Sequence, residues 1–372
     1  MKFSCEKAVL LAGITTASRT VASKSTIPVL EGLLLDAEDG LTISGYNLKT
    51  GIRTRCEADV SNAGSVVINA RLFIDIVRKM SDDVITVTVN KNYMVKLVCG
   101  LSTFEIMGTS GEDFPELPDV VQENTLSVPE NKLKSIISDT IFAVSDNESK
   151  PIHTGSLFEV EDNVLTVVSV DGYRLALRRE TLDNTDMENV SFVVPGAALA
   201  EVEKIALDRE ETVKITLGAR HIMFSLDNTD LISRRLEGEF LDYKKSIPSI
   251  NKYAITADRR TLIDCVERVS LIINEKMKSP IRCIFSKNMM RIHTVTALGR
   301  ANDECTIEGD GEGLEIGFNN RYMLETLRAT PSDSIRILLN SGVSPCVVVP
   351  TDDSDSFLYM ILPVRIRTDD GV

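Results

Sequence analysis

Apolar positions near the start of the chain fall at helical spacing. Leu10, Ile14, Ala17 and Val21 sit at i, i+4, i+7 and i+11, one face of a 3.6-residue period. The same spacing returns at Leu133, Ile137, Thr140 and Val144, and again at Leu262, Val266, Val269 and Ile273. Each copy follows a short strand-like run: Lys2-Phe3-Ser4-Cys5, Thr125-Leu126-Ser127-Val128 and Tyr253-Ala254-Ile255-Thr256. Extended hairpins come next, clearest at Gly40–Ser44 and Asn163–Val168. A second helix then recurs at Arg71–Lys79, Ala197–Ala206 and Asn319–Ala329. Alternating strands close each unit at Val84–Val89, Val213–Leu217 and Ser334–Leu339. The copies are about 125 residues apart, one third of the 372-residue chain. This periodicity predicts an α+β protein of three repeated domains, each with two helices packed on antiparallel sheets. The domains are 1–122, 123–250 and 251–372, with polar, proline-bearing linkers at Pro118–Thr125 and Pro248–Lys252.

Composition narrows the chemistry. Hydrophobic residues make up 43% and charged residues 26%, which excludes wholesale disorder and collagen-like repeats. No apolar run approaches the roughly 18 residues of a bilayer span, so no membrane partner is expected. Met1-Lys2 and the apolar Ala8–Ala12 stretch imitate a signal peptide, but Glu6 and Lys7 interrupt it, and it reads as mature protein. The seven cysteines (5, 56, 99, 265, 283, 305 and 346) contain no Cys-x-x-Cys and read as reduced, buried cytosolic thiols. His153, His221 and His293 lack metal-ligand spacing. No phosphate loop or nucleophile elbow is present. Gly108-Thr109-Ser110-Gly111 lacks the lysine and reads as a turn, as do Asp352, Asp353 and Asp355. Neither a catalytic group, a metal nor a cofactor is expected.

The net charge is −14, yet its distribution is uneven. Acids gather in loops, including Glu112, Asp113, Glu116, Asp303, Glu304 and Glu308. Basic side chains recur beside helices: Lys7, Arg19, Lys24, Arg71, Arg78, Lys79, Lys132, Lys134, Arg259, Arg260, Arg268, Lys276, Arg321 and Arg328. Helices sharing one face would offer phosphates a basic surface that reads no sequence, although Glu201 and Glu203 interrupt one helix. An ordinary solvated face is the alternative.

Several motifs on this repeat resemble the bacterial DNA polymerase III β subunit, the sliding-clamp family. They are Thr26-Ile27-Pro28-Val29-Leu30-Glu31-Gly32-Leu33-Leu34-Leu35, Val170-Asp171-Gly172-Tyr173-Arg174-Leu175-Ala176, Glu239-Phe240-Leu241-Asp242-Tyr243, Ile273-Asn274-Glu275-Lys276 and Tyr359–Ile366. The resemblance runs from Met1 to Ile366. It implies DNA-clamp domains, a head-to-tail homodimer closing into a six-domain ring, and a non-catalytic processivity factor around double-stranded DNA. Implied partners are the polymerase III α subunit, the clamp loader and other proteins with a clamp-binding peptide; the implied location is cytoplasmic, at the nucleoid.

Carried over by position, the family's peptide pocket comprises His153, Val170, Gly172, Tyr173, Arg174, Leu175, Leu241, Lys245, Ser246, Met277, Asn319, Tyr322, Val343, Met360, Ile361, Leu362, Pro363, Val364 and Arg365. The peptide bears glutamine, leucine and phenylalanine anchors. Lys24, Arg71, Arg78, Asn147 and Lys150 are the implied DNA contacts. His153 and Tyr173 depart from residues common in that pocket, and Gly196 stands where some members have arginine. The acidic Thr368–Val372 extension runs past the usual end. Two other readings compete: a tandem-domain enzyme using Asp171, Tyr173 and Arg174, and a diverged clamp-like scaffold without a replicative role.

Overall fold

The alternating runs of the sequence become four antiparallel sheets. The computed structural model describes residues 1–121, 124–182, 189–274 and 279–366. They form two compact units, Met1–Lys134 with Ala200–Arg235, and Ser135–Leu199 with Leu236–Val372.

The first unit holds two sheets. One has the order β5 (Asp59–Asn62), β1 (Lys2–Glu6), β7 (Val84–Val89), β8 (Met94–Cys99), β9 (Ser102–Met107). The other runs β10 (Thr109–Ser110), β6 (Gly64–Asn69), β2 (Gly32–Glu38), β3 (Gly40–Tyr46), β4 (Thr50–Cys56), β18 (Thr229–Arg234), β17 (His221–Leu226), β16 (Thr212–Leu217), β11 (Asn124–Pro129). Helix α1 (Lys7–Ser18) buries Leu10, Gly13, Ile14 and Ala17, the stripe its periodicity predicts. It sits so close to the sheet that a Cβ on Gly45 would lie 2.1 Å from the Ala17 carbonyl oxygen. Helix α2 (Ala70–Lys79) is capped by Asn69, whose side chain accepts from Leu72 N, and it buries Ala70, Phe73, Ile76 and Val77.

The second unit also holds two sheets. The larger has the order β15 (Val190–Pro195), β12 (Gly155–Glu161), β13 (Val164–Val170), β14 (Arg174–Thr181), β26 (Phe357–Ile361), β25 (Cys346–Pro350), β24 (Ser334–Leu339), β19 (Tyr253–Asp258). The smaller runs β22 (Gly299–Thr306), β21 (Met289–Thr296), β20 (Ile281–Ser286), β23 (Leu314–Phe318). Helices α5 (Arg259–Ser270) and α6 (Asn320–Ala329) belong to this unit, while α3 (Glu130–Ser138) and α4 (Gly196–Ile205) contribute residues to both. Six α-helices, two per repeat, are thus present among the described residues.

The units do not follow the repeats, because each large sheet joins strands from two of them. β4 of the first repeat pairs with β18 of the second, Thr54 opposite Thr229. β14 of the second pairs with β26 of the third, Leu175 opposite Met360. Two local expectations change. The helical pattern from Leu133 stops at Ser138, so Thr140 and Val144 lie beyond α3, and Val21 and Ile273 likewise lie past the ends of α1 and α5. The linker expected through Thr125 ends sooner, because β11 starts at Asn124. Among the described residues no helix is long and apolar enough to cross a membrane.

Candidate peptide groove and basic faces

Strand alternation makes the groove floor. On β14, Leu175 and Leu177 point to one face and Ala176 to the other; on β26, Met360 opposes Leu175 while Tyr359 opposes Ala176. Val170, Leu175, Leu177, Val347 and Met360 therefore share one apolar face of the sheet. Both faces must be covered, as the near-continuous apolar run of β13 requires. The segment after β18 supplies the cover: Phe240, Tyr243 and Ile247 pack on this face, together with Leu362. Tyr243 is buried and donates to Glu159 Oε2 at 2.5 Å. Burial and this bond hold its phenol well above the usual tyrosine range, so it stays a donor. The His153 ring meets Phe240 edge-on at 5.4 Å.

The turn between β13 and β14 shapes one end. Asp171 Oδ1 accepts from Tyr173 N at 2.8 Å and from Arg174 N at 3.0 Å. Gly172 supplies the φ of +89° the turn needs. Tyr173 is thereby turned outward, 61% exposed, and Arg174 inward, 7% exposed. The Arg174 guanidinium donates to Asp171 Oδ2 at 2.9 Å and to the Phe142 carbonyl at 2.5 Å, and pairs with Glu325. It lies between the Phe142 ring (5.2 Å) and the Tyr322 ring (4.4 Å). Tyr173 stacks on the other aromatic of this group, Tyr322, at 6.0 Å. Asn319 caps α6, its Oδ1 accepting from Arg321 N and Tyr322 N. Leu362 N donates to the Tyr173 carbonyl at 2.8 Å, and Val364 N to the Gly317 carbonyl at 2.8 Å.

The structure thus brings Val170, Leu175, Met360 and Leu362 together on one face of the sheet; Arg174, the register partner of Ile361, lies on the other face with Tyr322, whose amide Asn319 caps and on which Tyr173 stacks from the turn. Leu241 and Val343 are exposed apolar side chains, and Pro363 is half-buried. Gly172 has open space where a Cβ would be. Lys245 pairs with Asp242 at 2.7 Å, while Ser246 and Arg365 are exposed to solvent. Ile361 needs correction. Alternation along β26 turns it to the opposite face, fully buried in the core that includes Cys346 and Phe357. Met277 and the 368–372 extension lie outside the described residues. Sequence reasoning missed Phe142 and Glu325, the partners of Arg174, and Ile247; Phe240 and Tyr243 stood in the Glu239–Tyr243 motif but were not assigned to the pocket.

The basic positions are more compensated than the sequence suggests. Lys7, Arg19, Arg259, Arg260, Arg268, Arg321 and Arg328 pair with Asp82, Glu201, Asp333, Asp264, Asp303, Glu325 and Glu267 respectively. A uniformly basic helix face is therefore not what forms. Among the implied DNA contacts, Arg78 pairs with Asp75 at 3.4 Å. Lys24 and Arg71 are exposed in the first unit, and Asn147 and Lys150 in the second; Lys24, Arg71 and Lys150 make no ion pair among the described residues. An arginine at 196 would place its Cβ 2.9 Å from Val144 Cγ1, so glycine there has a packing reason.

Burial is the first cause depressing the pKa of all three histidines, with nearby Lys150 acting further on His153. The folded chain then binds fewer protons than the unfolded chain below the ordinary histidine value of about 6.5. Stability from these groups is complete above that pH and falls as acid drives it towards their depressed values. Melting temperature should accordingly drop between pH 7.5 and 5.5, and drop less in a His153→Gln, His221→Gln, His293→Gln variant; scanning calorimetry reads both.

The chain matches the three domains described for the DNA polymerase III beta subunit: N-terminal over residues 1–118, central over 127–242 and C-terminal over 244–365. The beta sliding clamp of Halalkalibacterium halodurans is 30% identical over 379 residues, covering 98% of this chain and 100% of the relative. That of Staphylococcus aureus is 27% identical, covering 98% and 99%. Among solved structures, the Bacillus subtilis sliding clamp superposes with a TM-score of 0.93 at 28% identity, covering 98% of this chain and 99% of that one. A Pseudomonas aeruginosa clamp, solved bound to griselimycin, gives 0.93 at 26% identity, covering 98% and 100%. The chain belongs to the DNA polymerase III beta subunit family, the beta sliding clamps.

Proposed function

We propose that two copies of this chain close head to tail into a six-domain ring around double-stranded DNA, which the apolar groove couples to the polymerase III α subunit, the clamp loader and other peptide-bearing proteins. Its family sets the class: a sliding clamp, a processivity factor that catalyses no reaction itself. Domain boundaries near residues 122 and 250 go with this reading, as does work in the cytoplasm at the nucleoid.

The observation that carries the partner assignment is the margin of the covered apolar sheet face, where Leu362 is half-buried and Leu241 and Tyr173 are exposed. Leucine and phenylalanine anchors would supply burial there, and a few polar groups would set orientation. A fluorescent peptide with glutamine, leucine and phenylalanine anchors tests it against a scrambled control. Saturable binding lost on scrambling supports the reading; no binding to folded protein moves the function to the diverged scaffold.

Two sheet edges that pair with no further strand among the described residues support subunit pairing. β9 ends the five-stranded sheet, with Leu101 beside it and Phe104 and Met107 on it exposed. β22 ends the four-stranded sheet, and Leu298 just before it and Val295 on its neighbour are exposed. Unpaired strand edges carrying apolar side chains invite another chain. Contact of one kind of edge with a different one is heterologous, and closes a ring when the rotation allows. Phe104→Asp with Met107→Asp should convert dimer to monomer in sedimentation velocity at micromolar protein.

Lys24, Arg71, Arg78, Asn147 and Lys150 fit DNA contacts that neutralise phosphates without reading bases. Lys24→Glu with Arg71→Glu should weaken DNA binding most at low salt and flatten the log–log salt slope by about one unit per lost contact. A loss independent of salt would contradict the electrostatic assignment.

A further inference from the structure

The same backbone device is built twice, once in each large sheet. In the second unit, Asp171 Oδ1 accepts from the two amides that follow Gly172, and Leu362 N donates to the Tyr173 carbonyl. In the first unit, Asn47 Oδ1 accepts from Lys49 N at 3.0 Å and Thr50 N at 2.8 Å, and Arg234 N donates to the Lys49 carbonyl at 3.1 Å. Leu48 takes the place of Gly172, at a φ of +70° against +89°. The side chains differ. Where the second unit has Tyr173 and Leu362, the first has Lys49 and Arg234.

Further backbone contacts gather cations at this end of the nine-stranded sheet. His221 on β17 is the register partner of Arg234 on β18, and Arg235 N donates to the Arg220 carbonyl at 2.9 Å. Lys49, Arg220 and Arg234 are exposed, and none makes an ion pair or side-chain hydrogen bond among the described residues. Arg235 is half-buried and donates to the Gly218 carbonyl at 2.8 Å. Nearby acids do not compensate. Asp230 is taken by Arg53, Arg55 and Ser225, while Asp119 and Glu237 are exposed and unpaired with these cations. On a chain of net charge −14 this is a local reversal of sign. Apolar side chains border it. Leu48 is 50% exposed, in a left-handed conformation that strains a leucine and not a glycine. Val121, 79% exposed, lies against the Gly218–His221 turn: a Cβ on Gly218 would sit 3.0 Å from the Val121 carbonyl oxygen.

We infer that this end of the sheet is an interaction surface for an acidic peptide segment of a partner protein. Lys49, Arg220 and Arg234 take its carboxylates, and Leu48 and Val121 take an aliphatic side chain beside them. Guanidinium forks match carboxylates in geometry as well as charge. Two exposed aliphatic side chains supply the burial that charge alone does not. Unpaired bases would need aromatic platforms to stack on, and the exposed apolar side chains here are aliphatic, which favours a peptide over a nucleic acid. The assignment does not depend on what fills the groove of the second unit.

The test titrates the full-length protein against a fluorescein-labelled peptide, Asp-Glu-Leu-Asp-Glu, with the amide counterpart Asn-Gln-Leu-Asn-Gln as control. Fluorescence polarisation should show saturable binding of the acidic peptide and none of the amide one. Arg220→Ala with Arg234→Ala should weaken it about tenfold or more. Arg220→Lys with Arg234→Lys should keep part of the affinity, since the charge survives and the forks do not. Leu48→Gly should weaken the leucine peptide but not one with serine in its place, without lowering the melting temperature. The peptide with glutamine, leucine and phenylalanine anchors should not displace the acidic one. Equal or absent binding of the acidic and amide peptides to folded protein would overturn the inference, as would unchanged affinity in the double alanine variant. Displacement by the anchored peptide, or by a short single-stranded or duplex oligonucleotide at lower concentration than unlabelled acidic peptide, would overturn it too.

Discussion

Arg174→Ala is expected to cost about 3–5 kcal/mol of stability, the range for removing one partner of a buried ion pair. The reason is the number of groups left without a partner. Asp171 is largely buried and loses its guanidinium, the Phe142 carbonyl loses a donor, and Glu325 loses the nearer of its two ion pairs, keeping Arg321 at 3.8 Å. The gap between the Phe142 and Tyr322 rings also empties. Urea unfolding with two-state analysis of the second unit's transition reads the effect. Arg174→Lys should fall between, keeping charge but not the forked contacts or the stacking. A loss under about 1 kcal/mol for alanine would show that the cluster is dispensable. The same variant separates clamp from enzyme: the clamp account predicts destabilisation and weakened peptide binding, and no turnover to lose.

The second large effect concerns the groove. Met360→Ala with Leu362→Ala should weaken the anchored peptide by about 2 kcal/mol or more, roughly thirtyfold in affinity. Met360 is 6% exposed and belongs to the sheet face, so its truncation also carries a stability cost of about 2–5 kcal/mol. Leu362 is only half-buried, which makes Leu362→Ala alone the cleaner probe of binding. Circular dichroism establishes that each variant is folded before affinity is compared. Unchanged affinity in the folded double variant would place the peptide elsewhere.

Local periodicity made the helices legible. The second helix read as Arg71–Lys79 forms as Ala70–Lys79, and the α5 stripe of Leu262, Val266 and Val269 is buried as expected. Pairing between repeats was not legible, because β4 and β18 are joined by bonds such as Thr54 to Thr229, 175 residues apart. Nothing in either strand's own pattern names that partner. The proposed groove comes from resemblance, and resemblance carries positions without faces. A contiguous run from Met360 to Arg365 therefore included Ile361, which the two-residue period of a strand turns away. The partners of Arg174 were hidden for the same reason: Glu325 lies 151 residues away and Phe142 32. Basic helix positions looked free because several of their acids sit on loops and strands, as Asp82, Asp303 and Asp333 do.

Encirclement of DNA is the central claim, and topology tests it directly. Labelled protein is loaded by a bacterial clamp loader onto nicked circular plasmid and separated by gel filtration, before and after the circle is cut once. The account predicts protein that travels with the circle and is released when the DNA becomes linear. Equal retention on circle and linear DNA would contradict it, as would loading that proceeds when both subunit contacts are covalently locked beforehand.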